Sequence, residues 1–194
     1  MILLSLTSIN VTHSHYVKSI QDALRESGIT DSERLSVIID NGNSLTNLTK
    51  LANDIYEKIL AIEYFTIILH IVPGSFVSLN ILKAFSTFEP NLILKSINGF
   101  CIASVGVNTL YAYARVGQRL CDNNSEIQDC LRKLITLDGI CDKQRRELDF
   151  LVTRFSAKSP IRPLDMFDMN YANCAVLMSI MFTHCIILMQ FKGY

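Results

Sequence analysis

Residues Met169–Phe191 read MNYANCAVLMSIMFTHCIILMQF, a run without Asp, Glu, Lys or Arg. At about 1.5 Å rise per residue it is long enough to cross a hydrocarbon core of roughly 30 Å. Wound at about 100° per residue, Asn173, Ser179, Thr183, His184 and Gln190 fall within an arc of about 140°, shared with Val176, Ile180, Ile187 and Phe191. The opposite side carries Tyr171, Cys174, Met178, Met181, Phe182, Cys185, Ile186 and Met189. An unpaired amide or hydroxyl in hydrocarbon costs several kcal/mol, so the polar side must meet other helices or water rather than lipid. Helix packing through hydrogen-bonded polar groups and a water-filled pore both satisfy that requirement.

Two further stretches have the same character. Tyr64–Leu82 and Ser96–Ala114 lack formally charged residues, His70 aside, which places membrane helices at 62–82 and 94–115 beside the one at 169–191. Pro73-Gly74 lies within the first and is expected to kink it. In the second, Gly99, Ala103 and Gly106 recur at helical spacing, a small-residue face that another helix can approach closely. Ser104, Asn108 and Tyr111 form a polar line beside that face. These three and His70 are readable either as interior hydrogen-bonding groups or as contacts to a small molecule.

The remaining segments are charged and amphipathic. In 1–61, Val17, Ile20 and Leu24 mark one helix, ended by Gly28; Thr30 and Glu33 suit a capping box that opens a second, with Leu35, Ile38 and Ile39 inward. His13-Ser14-His15 reads as an isolated polar turn, and Asn41-Gly42-Asn43 as a turn signal. From Ser44 the helical pattern is unbroken up to Pro73. In 116–168, Ile127, Cys130, Leu131 and Leu134 share one face before Asp138-Gly139, and Leu148, Leu151, Val152 and Phe155 share another before Ser159-Pro160. Residues 83–93 form a short connection and 192–194 a tail. The predicted class is an all-α, polytopic membrane protein.

Composition excludes several function classes. The chain of 194 residues balances 18 basic against 18 acidic side chains, with no basic run to suggest a nucleic-acid partner. Its six Cys form no Cys-x-x-Cys pair, and its four His no metal-binding pair on one helix face, so no metal or other cofactor is expected. No phosphate-cradling loop or nucleophile elbow points to an enzyme. Met1–Ile9 is apolar but lacks the basic lead of a signal peptide.

The stretch Thr183-His184-Cys185-Ile186-Ile187-Leu188-Met189-Gln190-Phe191 resembles the signature of insect gustatory receptors: Thr-Tyr, five hydrophobic residues, then Gln-Phe, in the last of seven membrane helices. His184 stands where the family has Tyr. The resemblance covers the final helix in spelling and the two earlier spans in layout. It implies that this chain is the C-terminal part of such a seven-helix receptor, with 1–61 and 116–168 as cytosolic helical segments. The second of these would belong to the anchor that joins subunits into a homo- or hetero-tetramer.

The activity so implied is that of a multi-pass plasma-membrane chemoreceptor, a non-selective cation channel gated by a small-molecule tastant, in contact with lipid. Thr183, Ile187, Gln190 and Phe191 would line the pore or gate. The ligand would sit among the membrane helices, where His70, Ser104, Asn108 and Tyr111 are the candidates. The resemblance also implies a cytosolic N-terminus. With the second inner segment counted from Arg115, only Lys83, Lys95 and Lys192 among the basic residues fall outside the two segments then placed inside, which accords with the positive-inside tendency. The alternatives are an insect odorant receptor, or a non-conducting membrane protein, including an inactive receptor fragment, whose polar stripe only packs helices.

Overall fold

Alternation of apolar residues every three or four positions runs through most of the chain, and the computed structural model turns nearly all of it into helix. It describes residues 2–25, 32–78, 90–155, 161–166 and 168–192. Among them are five α-helices and no strand: α1 (Ile2–Arg25), α2 (Ser32–Ser78), α3 (Pro90–Ile135), α4 (Asp142–Phe155) and α5 (Tyr171–Lys192), with a 3-10 turn at Pro163–Asp165. Gly28, Thr30 of the expected capping box, 79–82 of the first expected span, 83–89 of the connection, Ser159-Pro160 and the last two residues lie outside the described residues.

Two compact units emerge. The first comprises residues 1–57 and 116–169, the second 58–115 and 170–194, so α2 and α3 each contribute to both.

In the first unit, Leu6, Ile9, His13, Tyr16 and Ile20 repeat at three and four residues along α1 and are all buried. That stripe is the natural inward face of an amphipathic helix. From it Tyr16 and Ile20 join Leu35, Ile38, Ile39 and Leu45 of α2, Ile127, Leu131 and Leu134 of α3, and Leu148, Leu151 and Phe155 of α4 in one core. Gly139, at φ 95°, supplies the left-handed residue that turns the chain between α3 and α4. α4 then opens on Asp142 and closes on Arg154, matching the sign of the helix dipole at each end.

Two expected turns are helix instead. His13-Ser14-His15 lies inside α1, which already begins at Ile2, and the His13 ring is fully buried. Asn41-Gly42-Asn43 lies inside α2. Gly42 serves packing there: a Cβ at 42 would run into the Tyr16 hydroxyl and the Leu151 side chain. The lost helix propensity, about 1 kcal/mol against Ala, is offset by that close approach.

In the second unit α2 packs tightly on the small-residue face of α3. A Cβ on Gly74 would meet the Gly99 carbonyl at 2.8 Å and the Ala103 amide at 3.1 Å, and Gly106 lies against Ile71. Helix α2 continues through Pro73 to Ser78. Three helices are long and apolar enough to cross a membrane, within Glu33–Ser78, Pro90–Ile135 and Tyr171–Leu188. Only 22, 22 and 11% of their most apolar stretches is buried, whereas a water-soluble core of that composition would bury most of it. The protein is an all-α, polytopic membrane protein.

Candidate functional site

Helix α5 starts cleanly because Asn170 caps it. Its side-chain Oδ1 accepts the Asn173 amide at 2.8 Å, and its carbonyl accepts the Cys174 amide at 3.1 Å. The Asn173 N–H, otherwise orphaned at a helix start, is thereby satisfied, and the Cys174 bond is the first of the regular helical ladder.

One side of α5 is covered within the second unit. Met181 and Cys185 are 4 and 3% exposed, and Cys174 and Met178 are half-buried beside them. The Cys185 thiol points at the Val72 carbonyl of α2, 3.8 Å away. About half a turn around the helix, Ser179, Thr183, Ile187 and Gln190 are exposed. Phe191 is 77% exposed in the last turn. His184, at the edge of the polar arc, is exposed too, and Asn173 is half-buried. Phe182 and Ile186, which the helical wheel puts on the side opposite the polar arc, are exposed as well. The polar arc therefore lies opposite the packed face. The Thr183 hydroxyl donates to the Ser179 carbonyl at 2.9 Å, so its hydrogen is used within the helix while its lone pairs face outward.

The four candidates for ligand contact separate. Ser104 and Asn108 line a cleft of about 400 Å³ with Ser75 and Ser78 of α2 and with Met178, Met181, Phe182 and Cys185 of α5. This places two of the expected polar groups against the covered side of the final helix. His70 instead lines a second cleft of about 410 Å³ between α2 and α3, with Cys101 and Thr109. Its Nδ1 lies 2.6 Å from the Thr66 carbonyl, which can only accept, so Nδ1 carries a proton.

Tyr111 lines neither cleft; its ring lies 5.6 Å from that of Tyr171. Nearby, Tyr64 and Tyr113 are 5.9 Å apart, and the Tyr113 hydroxyl donates to Glu63. These four tyrosines stand at the start of the first apolar stretch, the end of the second and the start of the third. Amphipathic rings concentrate at that level, where a membrane span meets water.

Sequence reasoning missed a polar cluster in the first unit. His13 Nε2 lies 3.0 Å from Thr49 Oγ1, and the Asn124 side chain is beside the ring. Asn124 Oδ1 and His13 Nδ1 are both buried with no partner in the orientation shown. Turning the Asn124 amide over would offer an N–H where Oδ1 stands, since the two orientations of an amide fill the same space. Burial lowers the His13 pKa from 6.5 to about 4, so the ring is neutral at pH 7. Burial also raises the Tyr16 hydroxyl and the Cys130 thiol above their usual values. The signal was the 3-4 spacing that puts His13 in line with Leu6, Ile9 and Tyr16.

Among the described residues no three His, Cys, Asp or Glu side chains come together as a metal site. No curated protein matches the sequence. A family model does, that of the 7tm chemosensory receptors, over residues 1–193. Because the match runs through nearly all of the chain, this protein belongs to the 7tm chemosensory receptor family.

Proposed function

We propose that this chemoreceptor is a gustatory receptor subunit of the plasma membrane, acting as a ligand-gated, non-selective cation channel with α5 at the pore. The observation that carries the reading is the orientation of α5: Ser179, Thr183, His184 and Gln190 of its polar arc are exposed, and the arc lies opposite the Met181–Cys185 face. A face bearing Ser179, Thr183, His184 and Gln190 cannot turn to lipid cheaply, and calls for water or further subunits. A pore on the axis of a homo- or hetero-tetramer provides both.

Thr183, Ile187, Gln190 and Phe191 then line the conduction path. Phe191 and Ile187 supply an apolar constriction, and Gln190 a neutral amide. The arc has no carboxylate, so discrimination among small cations is weak. Gating follows from a tastant with one or two hydrogen-bonding groups on an apolar body, held by Ser104 and Asn108 against the back of α5. The charged unit faces the cytosol, and lipid covers the outward Ile62, Phe65 and Leu69 of α2.

Whole-cell recording from cells expressing the full receptor gene product tests this, using sugars, bitter compounds and volatile odorants in separate applications. Currents evoked by tastants and altered by Asn108→Ala support the reading. A receptor that reaches the surface yet passes no current under any of them is a non-conducting membrane protein, and responses confined to odorants move it to the odorant side.

A further inference from the structure

The last residues of the first unit are tied down immediately before α5 begins. Ile161 and Met169, at either end of this connector, are each 1% exposed. Between them Arg162 Nε pairs with Asp168 Oδ1 at 3.0 Å, closing the connector into a loop. The Arg162 backbone N–H donates to Asn53 Oδ1 of α2 at 2.9 Å. The Met166 amide donates to the Pro163 carbonyl at 3.0 Å, and Leu164 sits at φ 49°, left-handed backbone that a non-glycine residue adopts at a cost.

Met169 itself rests on Gly117 of α3. Its backbone carbonyl and its Cβ occupy the space that a Cβ at 117 would take. One peptide bond later, Asn170 caps α5.

We propose that the Gly117–Met169 contact and the Arg162–Asp168 pair form a positioning clamp on the residues that lead into the final helix, and that its hold biases the opening equilibrium. The proposal rests on the channel reading above. Three features argue for a built device. A backbone-to-backbone contact that only glycine permits is stiff, since no flexible side chain can yield. The ion pair and the Asn53 bond hold a loop whose own backbone is strained, so the surroundings over-determine its conformation. Nothing intervenes between the clamped Met169 and the helix cap, so displacement of one is passed to the other through a single covalent link.

The test combines hydrogen exchange and recording on the full receptor carrying Gly117→Ala, Arg162→Asp, Asp168→Arg, or the last two together. In Gly117→Ala the Asn173 and Cys174 amides should exchange roughly tenfold faster, as local opening becomes easier. The ligand concentration for half-maximal current should shift at least about threefold, with unitary conductance unchanged, because the helix's own pore-facing residues are intact. Arg162→Asp and Asp168→Arg should each act in the same direction, and the double exchange should restore both readouts, which a non-specific packing defect would not.

If Gly117→Ala does not fold, the charge exchange decides alone. Unchanged exchange at Asn173 and Cys174 in the variants overturns the clamp. Faster exchange with unshifted ligand response overturns its role in opening. A wild-type receptor without current removes the channel reading, and the gating claim with it, while the exchange data still report separately whether the clamp exists.

Discussion

Thr49 Oγ1 lies 3.0 Å from His13 Nε2 and also donates to the Leu45 carbonyl at 2.8 Å. A hydroxyl has one hydrogen; since that hydrogen goes to Leu45, the imidazole must carry its proton on Nε2 and donate to Thr49. Nδ1 is then the bare nitrogen, buried beside Asn124 and edge-on to Phe155.

A stability slope follows. The folded-state pKa of His13 is about 4 against 6.5 for the free side chain, so below pH 6.5 the unfolded chain binds a proton that the folded one refuses. Stability of the first unit is therefore complete above pH 6.5 and falls between 6.5 and 4, by on the order of 3 kcal/mol in total. Denaturation midpoints in detergent across that range measure it. His13→Gln should flatten the slope, and an unchanged slope in the variant would assign the effect to other groups.

Gly42 and Tyr16 should be coupled. Gly42→Ala forces a Cβ onto the Tyr16 hydroxyl, which donates to the Ile38 carbonyl at 2.8 Å, and onto Leu151. Overpacking of this kind costs about 1–3 kcal/mol. Tyr16→Phe alone should cost about 1 kcal/mol. Once Tyr16→Phe has removed the hydroxyl, the nearest obstacle is gone, so adding Gly42→Ala should cost clearly less than in the wild type. A double-mutant cycle that proves additive within about 0.5 kcal/mol would show that the two residues do not share this space.

The membrane stretches were legible because uninterrupted apolar composition admits few other uses in a helix of that length. The small-residue face of α3 was legible for a similar reason: Gly99, Ala103 and Gly106 at helical spacing have no role in a helix except close approach. What misled was local chemistry overridden by packing. Asn41-Gly42-Asn43 has the composition of a turn, yet the partners of Gly42 are Tyr16 and Leu151, both far away in sequence. His13 between two polar neighbours looks solvated until Thr49 and Asn124 are brought to it. The clamp at Gly117 was invisible, because a lone glycine within a helix says nothing about which backbone will lie against it.

The three sequons should remain unmodified. Asn10-Val11-Thr12, Asn47-Leu48-Thr49 and Asn123-Asn124-Ser125 all lie within helices, and the hydroxyls of Thr12, Thr49 and Ser125 each bond the carbonyl four residues earlier. Moreover, Asn123 Nδ2 donates to Asn10 Oδ1 at 2.6 Å, so the two asparagine side chains are turned toward each other. Expression in insect cells followed by endoglycosidase should give no mobility shift. A shift abolished by Asn123→Gln would place the charged unit on the outer side of the membrane.

The two faces of α5 should separate two kinds of defect. Met181 is in the packed face and lines the cleft, so Met181→Ala removes buried contacts, at a cost of about 2–5 kcal/mol if the gap does not close. Its effect should appear as reduced surface expression, with normal conductance in the channels that do form. Gln190 and Phe191 are exposed in the chain, so their replacement by Ala removes little packing energy. If they form the constriction, losing the Phe191 ring widens it and admits water, and leak current without ligand should rise several-fold at equal surface expression. Ile187→Ala, one turn earlier, should act in the same direction but less, being 39% exposed and with a smaller side chain. Surface labelling and recording on the same cells give both quantities. Leak currents that change alike for Met181→Ala and Phe191→Ala, once normalised to surface protein, would mean that the uncovered face of α5 is not the one that meets the ions.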